Sequence, residues 1–279
     1  MERLEMTRDE ELHEHDRGLS HDLPTLLSRR RALGLLGGTG LAVVLAGCGV
    51  TDDGSAGGSA SAGSAGASTA SAGTAIPEET AGPYPGDGSN GINVLTESGI
   101  VRSDITRSFG SASGVATGVP LTIRLKVLDT SSGSGALPGA AVYLWHCDRD
   151  GRYSLYSEGV TQENYLRGVQ ETGGDGTVTF TSIFPAAYSG RWPHVHLEVY
   201  PSLEAATTAS GKLRTSKMAL PEAACRQVYA TDGYRQSLQN MAQTSLDTDM
   251  VFSDGYSLQL GTVTGSVGDG MTATLNVPV

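Results

Sequence analysis

Basic residues are scarce in this chain. Nineteen Lys and Arg stand against 30 Asp and Glu, a formal net charge of −11 over 279 residues, so the basic face that a nucleic-acid groove needs is missing. Long apolar runs are missing too: no uninterrupted stretch approaches the roughly 20 residues with which a helix crosses a bilayer. Three cysteines are too few for a disulfide-built miniprotein or a four-thiolate zinc site. Glycine, by contrast, is plentiful at 38 residues. With threonine-rich, lysine-poor runs it leans towards β structure, and the length allows one or two domains with a sizeable core.

The first 48 residues read as an address. Residues 1–27 are polar and acidic with no sustained period. Ser28-Arg29-Arg30-Arg31 then precedes a Gly-interrupted apolar stretch that ends in Leu45-Ala46-Gly47-Cys48. A basic segment, a short apolar segment and small residues before a cut form an export signal. The paired arginines resemble a twin-arginine signal, and Leu-Ala-Gly-Cys resembles a lipobox, whose cysteine, here Cys48, becomes the lipidated first residue of the mature protein. Residues 49–75 follow as a tether: from Gly54 to Thr74 every residue is Gly, Ser, Ala or Thr. Such a composition cannot bury enough apolar surface to offset its ordering entropy, and roughly 20 such residues span about 25 Å. The expectation is an exported body anchored by Cys48 to the outer face of the cell membrane, or released. From Gly49 onwards 13 basic residues face 22 acidic ones, a net −9, so that body is anionic and no nucleic-acid partner is expected.

The body, residues 76–279, reads as short strands. Leu121, Ile123, Leu125 and Val127 alternate with polar residues, the period of a half-buried strand. Ala140 to Trp145 is a continuous apolar run after the turn Leu137-Pro138-Gly139. Val178 and Phe180 alternate with threonines after a Gly-Gly-Asp-Gly turn. Ser257–Thr264 and Met271–Val279 flank a Gly-rich loop and predict a hairpin. Helix signals are confined to Pro221–Val228 and Tyr234–Met241. The fold class predicted is mainly β: one domain with an antiparallel β-sandwich core, long connecting loops and one or two short helices.

Histidine carries the chemical signal. Of six, His13, His15 and His21 lie in the leader, leaving His146, His194 and His196. In Pro193-His194-Val195-His196-Leu197-Glu198-Val199, strand alternation would turn His194, His196 and Glu198 one way and Val195, Leu197 and Val199 into the core. Two imidazoles about 6–7 Å apart on one strand face can converge on a metal, or can simply be solvated. Upstream stand Trp145-His146-Cys147-Asp148-Arg149-Asp150-Gly151-Arg152-Tyr153 and Phe184-Pro185-Ala186-Ala187-Tyr188-Ser189-Gly190-Arg191. Together with Asn164–Gln170 and Pro77–Tyr84, these segments resemble the intradiol ring-cleavage dioxygenases, in particular their exported single-domain branch.

That resemblance implies one non-haem Fe(III) per chain. Tyr153 and Tyr188 match the two tyrosinate ligands and His194 and His196 the two histidines, with Tyr153 and His194 equatorial and Tyr188 and His196 axial. Hard phenolate oxygens suit Fe(III). Arg191 matches the active-site arginine, a fixed cation beside the reacting ring. Tyr188 would be the ligand displaced by substrate. The implied reaction inserts both atoms of O2 into a catechol, with cleavage between its oxygens to a cis,cis-muconate-type product. Family members are commonly dimeric, so a homodimer is a further expectation.

Other residues have plainer readings. Trp145 is expected in the core and His146 packed or hydrogen-bonded, while no ligand role matches Glu198. Cys147 and Cys225 are expected to form a disulfide in an exported protein, against the reading of two buried thiols. Where related enzymes often carry a glutamine, this chain has Lys217, facing either the pocket, where it would favour anionic catechols, or solvent. The rival function is a lipid-tethered β-sandwich binding module without catalysis. A copper–zinc superoxide dismutase is excluded, because three histidines in the body cannot supply its ligands.

Overall fold

A computed structural model describes residues 73–279; the predicted signal at 1–48, including Cys48, and the tether up to residue 72 lie outside the described residues. Nine strands form two sheets. In the first, β1 (Pro120–Asp129) is central. Along one edge it pairs antiparallel with β5 (Thr177–Ile183) and with the two-residue β2 (Gly135–Ala136). Along the other runs β9 (Gly270–Pro278), which pairs in turn with β8 (Thr262–Ser266). The second sheet has the order β4 (Arg167–Glu171), β3 (Ala141–Trp145), β6 (His194–Tyr200), β7 (Arg214–Ala219), all antiparallel.

The alternation read in the sequence is the alternation of the core. Leu121, Ile123, Leu125 and Val127 of β1, Val178 and Phe180 of β5, and Ala273 and Val277 of β9 face Val142 and Leu144 of β3 and Val195, Leu197 and Val199 of β6 in one buried cluster. Each such aliphatic side chain contributes roughly 1.5–3 kcal/mol by leaving water. The sandwich is therefore as predicted, with one difference: β1 and β9 run parallel, from Leu121 opposite Met271 to Leu128 opposite Pro278. A parallel pair needs a long crossover, and here most of the domain lies between the two strands. The predicted terminal hairpin forms, but its first strand begins at Thr262 rather than Ser257, because residues around 256–260 turn instead, with Gln259 N–H and Leu260 N–H both bonded to Tyr256 O.

The second sheet is buried on both faces. Away from the sandwich core, Ala141, Tyr143, Trp145 and Val169 pack against Tyr84, Val94, Leu95 and Ile100 of the segment before β1, and against Tyr153. That segment is a long arm: Ile76 N–H bonds Pro278 O at 2.8 Å and Glu79 N–H bonds Thr215 O at 2.8 Å. Every residue of β6 is consequently buried. Both predicted helices are present, α2 (Glu222–Tyr229) and α3 (Arg235–Met241). A short helix not anticipated, α1 (Leu203–Thr207), starts where Ser202 Oγ accepts from Ala205 N–H, the usual helix N-cap arrangement. No helix among the described residues is long and apolar enough to cross a membrane.

Candidate metal centre

The outer face of the second sheet carries the candidate site. Cross-strand register places Trp145, His196 and Lys217 in one row and Tyr143, Glu198 and Thr215 in the next. Directly opposed residues share a face, so β6 turns His194, His196 and Glu198 outwards, as its alternation predicted, towards the loops that roof this face.

Two loops bring the tyrosines. The one after β3 is wound around Asp148, whose Oδ1 accepts from Asp150 N–H and Arg152 N–H, both at 2.9 Å, and whose Oδ2 accepts from Arg152 Nε–H and Tyr165 Oη–H, both at 3.0 Å. Tyr153 follows at once, its N–H donating to Ser157 Oγ and its carbonyl accepting from Ser157 N–H, both at 2.9 Å. The second loop, Phe184 to Tyr188, is held by the helices. Tyr234 donates to Phe184 O (2.7 Å), Tyr229 to Pro185 O (3.0 Å) and Asn240 to Ala187 O (2.9 Å), while Ser237 Oγ accepts from Ala187 N–H (3.1 Å).

Four donor atoms then close a ring. Tyr153 Oη lies 3.1 Å from His196 Nε2 and 3.4 Å from Tyr188 Oη; Tyr188 Oη lies 3.4 Å from His194 Nε2; the two Nε2 atoms are 3.1 Å apart. Metal–nitrogen and metal–oxygen bonds of about 2.0–2.2 Å, at angles between roughly 90° and 110°, put neighbouring donors about 3.0–3.5 Å apart. The ring fits one metal ion at its centre. The tautomer fits as well: His194 Nδ1–H donates to Trp192 O at 2.5 Å, which leaves the Nε2 lone pair aimed into the ring. Burial, reinforced by Arg191 and Lys217, holds the His194 imidazole well below its usual range, and burial with His194 and Lys217 does the same for His196. Both are therefore neutral, the form that binds a metal. Burial and the neighbouring Tyr188 push the Tyr153 phenol up, so only a cation would make it a phenolate near neutral pH. Among the described residues no three His, Cys, Asp or Glu side chains converge. The cluster owes its metal-binding character to the phenols.

Tyr153, His194 and His196 are almost fully buried, whereas Tyr188 is partly exposed; of the four, Tyr188 offers the approach. Gly82 of the arm caps His196. It adopts φ +78°, and a Cβ there would stand 3.3 Å from His196 Cε1, so its left-handed backbone and close approach both call for glycine. Trp145 stacks on the His196 ring, centroids 4.7 Å apart at 14°.

Arg191 is buried and paired with Asp249, Nε to Oδ2 at 3.0 Å and Nη2 to Oδ1 at 3.4 Å. Asp249 also accepts from Trp192 N–H (2.7 Å) and Val251 N–H (2.8 Å). Burial works to raise its carboxyl pKa, but Arg191 and these donors hold it below the usual range. Asp249 was not singled out from the sequence, since nothing local marks an acid 58 residues from its partner. Lys217, left open between pocket and solvent, is fully buried in the row of His196. Its charge acts on Glu79, whose carboxyl burial nevertheless pushes up to about 7. Glu198 is anchored away from the ring by Lys212 (2.6 Å) and Tyr200 (2.8 Å). His146 is packed as expected, bonded to Cys147 O and Ser182 Oγ, both at 2.7 Å.

The expected Cys147–Cys225 disulfide is not formed. Both are free, buried thiols in different core clusters, Cys147 under the arm and Cys225 on α2 in the sandwich core. Each bonds a different carbonyl, Ala186 O at 3.7 Å and Leu220 O at 3.8 Å.

Known proteins share this fold. Residues 97–203 match the family model described as Dioxygenase. The intradiol ring-cleavage dioxygenase from Tetranychus urticae superposes with a TM-score of 0.58 at 24% identity, over 74% of this chain and 94% of that one. A dioxygenase domain from Streptomyces sp. SirexAA-E, fused to a carbohydrate-binding protein, gives a TM-score of 0.46 at 21% identity, over 74% and 98%. Among curated proteins no significant match is found. Residues 97–203 thus resemble the dioxygenase family, and the fold is the one seen in the intradiol ring-cleavage dioxygenase from Tetranychus urticae.

Proposed function

We propose that this protein is a non-haem Fe(III) dioxygenase that inserts both atoms of O2 into a catechol-type aromatic, cleaving the ring between its two oxygens to a cis,cis-muconate-type product. The observation that carries this reading is the ring of four donors, Tyr153, Tyr188, His194 and His196, with neighbouring atoms 3.1–3.4 Å apart. These residues would hold one Fe(III) per chain. Bound there, the ion would supply a Lewis acid that draws electron density from a catecholate and so prepares its ring for oxygen.

The protein's own groups do the rest. Tyr188, the partly exposed donor, faces incoming substrate, and as the phenolate that a bound cation would make of it, its Oη would accept the proton released by a catechol hydroxyl. Tyr153 and the two buried imidazoles stay in place through their backbone and ring contacts. Arg191 is a cation whose orientation Asp249 fixes, so it can stabilise negative charge developing on the ring without reorganising. Lys217 adds a second buried positive charge on the same face, which favours the anionic form of the substrate. Trp145 and the arm around Gly82 exclude water from His196. A surface binding module, the rival reading, has no use for four converging donors.

We further infer that residues 1–48 direct export with lipidation at Cys48, and that residues 49–75 tether the catalytic body to the outer face of the membrane. The composition and order of the segments support this.

The reading is tested by the visible spectrum of the full chain loaded with Fe(III), before and after anaerobic catechol. A broad tyrosinate-to-iron band is expected, lost in Tyr153→Phe and moved to longer wavelength by catechol. Admitting oxygen should then yield a muconate absorbance. A protein that stays colourless after iron loading overturns the enzyme reading.

A further inference from the structure

Arg167 opens β4 and is 1% exposed, yet no carboxylate pairs with it among the described ion pairs. Its guanidinium instead spends every donor on uncharged acceptors. Nε–H goes to Ser154 Oγ (3.1 Å), Nη1 to Pro85 O (2.9 Å) and Tyr143 Oη (3.0 Å), and Nη2 to Tyr84 O (3.0 Å) and Ser154 O (2.9 Å). Burying a cation among neutral groups is costly unless every donor is met, and here each is.

Two of the four candidate ligands are reached from this one group. Ser154 is the neighbour of Tyr153 in the chain, and the ring of Tyr84, whose carbonyl Arg167 also holds, lies 5.0 Å from the ring of Tyr153. On the other side, Tyr143 stacks on Trp145 at 4.9 Å and 20°, and Trp145 stacks on His196 at 4.7 Å and 14°. An unbroken column thus runs from the guanidinium to the second ligand. The backbone around it is equally constrained. Leu155, just after Ser154, has φ +73°, and Leu166, just before Arg167, has φ +56°. Side-chain-bearing residues keep that conformation only where their surroundings over-determine it. At Gly86 a Cβ would stand 3.0 Å from Nη1 of Arg167.

We propose that Arg167 is a positioning residue of the metal centre: its fork joins the loop of Tyr153 to the column ending in His196 and so sets these two donors 3.1 Å apart before a metal arrives. The proposal rests on the Fe(III) reading above. Only a planar fork can serve two loops and a phenol at once; an ammonium cannot.

The test is a titration of the full chain with Fe(III), followed through its visible band, for wild type, Arg167→Lys, Tyr143→Phe and Ser154→Ala. Arg167→Lys is expected to bind iron about tenfold more weakly, as disturbed supporting contacts do, and with a displaced band; the other two should move in the same direction by less. Val228→Ala, on α2 in the other core cluster, lowers the melting temperature but should keep the wild-type band and affinity. Wild-type band and affinity in Arg167→Lys would overturn the proposal. Should that variant fail to fold, unchanged band and affinity in both Tyr143→Phe and Ser154→Ala overturn it equally. A wild type that binds no iron sinks the Fe(III) reading itself, whereas unchanged variants of an iron-binding wild type sink only the role of Arg167.

Discussion

His146 shows how a histidine near the candidate metal centre can be purely structural. Both ring nitrogens are bonded inside the protein, and burial pushes its pKa down to about 4. The unfolded chain therefore takes up a proton near pH 6.5 that the folded chain refuses until about pH 4. Stability tied to this group is complete above the unfolded value and falls with pH, by about 3 kcal/mol at pH 4. Glu79, raised to about 7 by burial, acts in the opposite sense, since acid favours its folded form. The two trends overlap in the wild type but separate in a difference. Urea unfolding at pH 7.5 and pH 4.5 should show the stability advantage of wild type over His146→Gln shrinking at the lower pH by about 2–3 kcal/mol. An advantage independent of pH would mean that His146 is not held neutral. Arg191 and Asp249 show the complementary case: removing one partner of a buried ion pair leaves the other uncompensated, at a cost of about 3–5 kcal/mol.

Strand β6 separates stability from chemistry by the parity of its residues. Val195, Leu197 and Val199 fill the sandwich core, while His194 and His196 project to the loops. Leu197→Ala should cost about 2–5 kcal/mol through lost burial and a cavity, yet leave the iron band of the folded protein where it was. His196→Ala should abolish the band and lower the melting temperature of the metal-free protein less. Thermal melts and iron titrations of both variants check this; a displaced band in Leu197→Ala would show that the two faces are not independent. The elements beyond β6 serve the same face indirectly. Tyr229 of α2, Asn240 of α3 and Tyr234 between the two helices hold the carbonyls of Pro185, Ala187 and Phe184 and so set the loop that ends in Tyr188.

Over the whole molecule, the proposed function places the described body at the end of the proposed lipid tether, whose composition would give a span of about 25 Å. Under the proposed export and lipidation, such a body would meet small aromatics outside the cell. Detergent partition of the protein made in a lipoprotein-processing host should recover it with membranes, and Cys48→Ala should move it to the soluble fraction. Recovery of the native chain in the soluble fraction alone would remove the lipid anchor. The body itself is closed by its ends: Ile76 bonds Pro278, and the arm from Ile76 to Ile100 roofs the site before β1 begins the sandwich.

The strands and the inward set of β6 were legible in the chain because each rests on a short-range period, whereas the Tyr/Tyr/His/His quartet was offered only by the resemblance of short segments to a known family. Period-two alternation is complete within a few residues, and so are the Pro-x-x-Tyr and His-x-His segments that carry the resemblance. What only the tertiary structure decided depends on partners far apart in sequence. The pairing of Arg191 with Asp249, the burial of Lys217 beside His196, the clamp of Arg167 on Tyr84 and Ser154, and the parallel β1–β9 pair have no local period to announce them. The cysteines illustrate the limit: export makes a disulfide permissible, but whether two thiols meet is a matter of packing, and here Cys147 and Cys225 settle into different buried clusters. Sequence determined which residue types were offered to the metal face. Folding decided which of them stand within bonding distance of one another, because that distance is set by long-range packing of loops on a sheet.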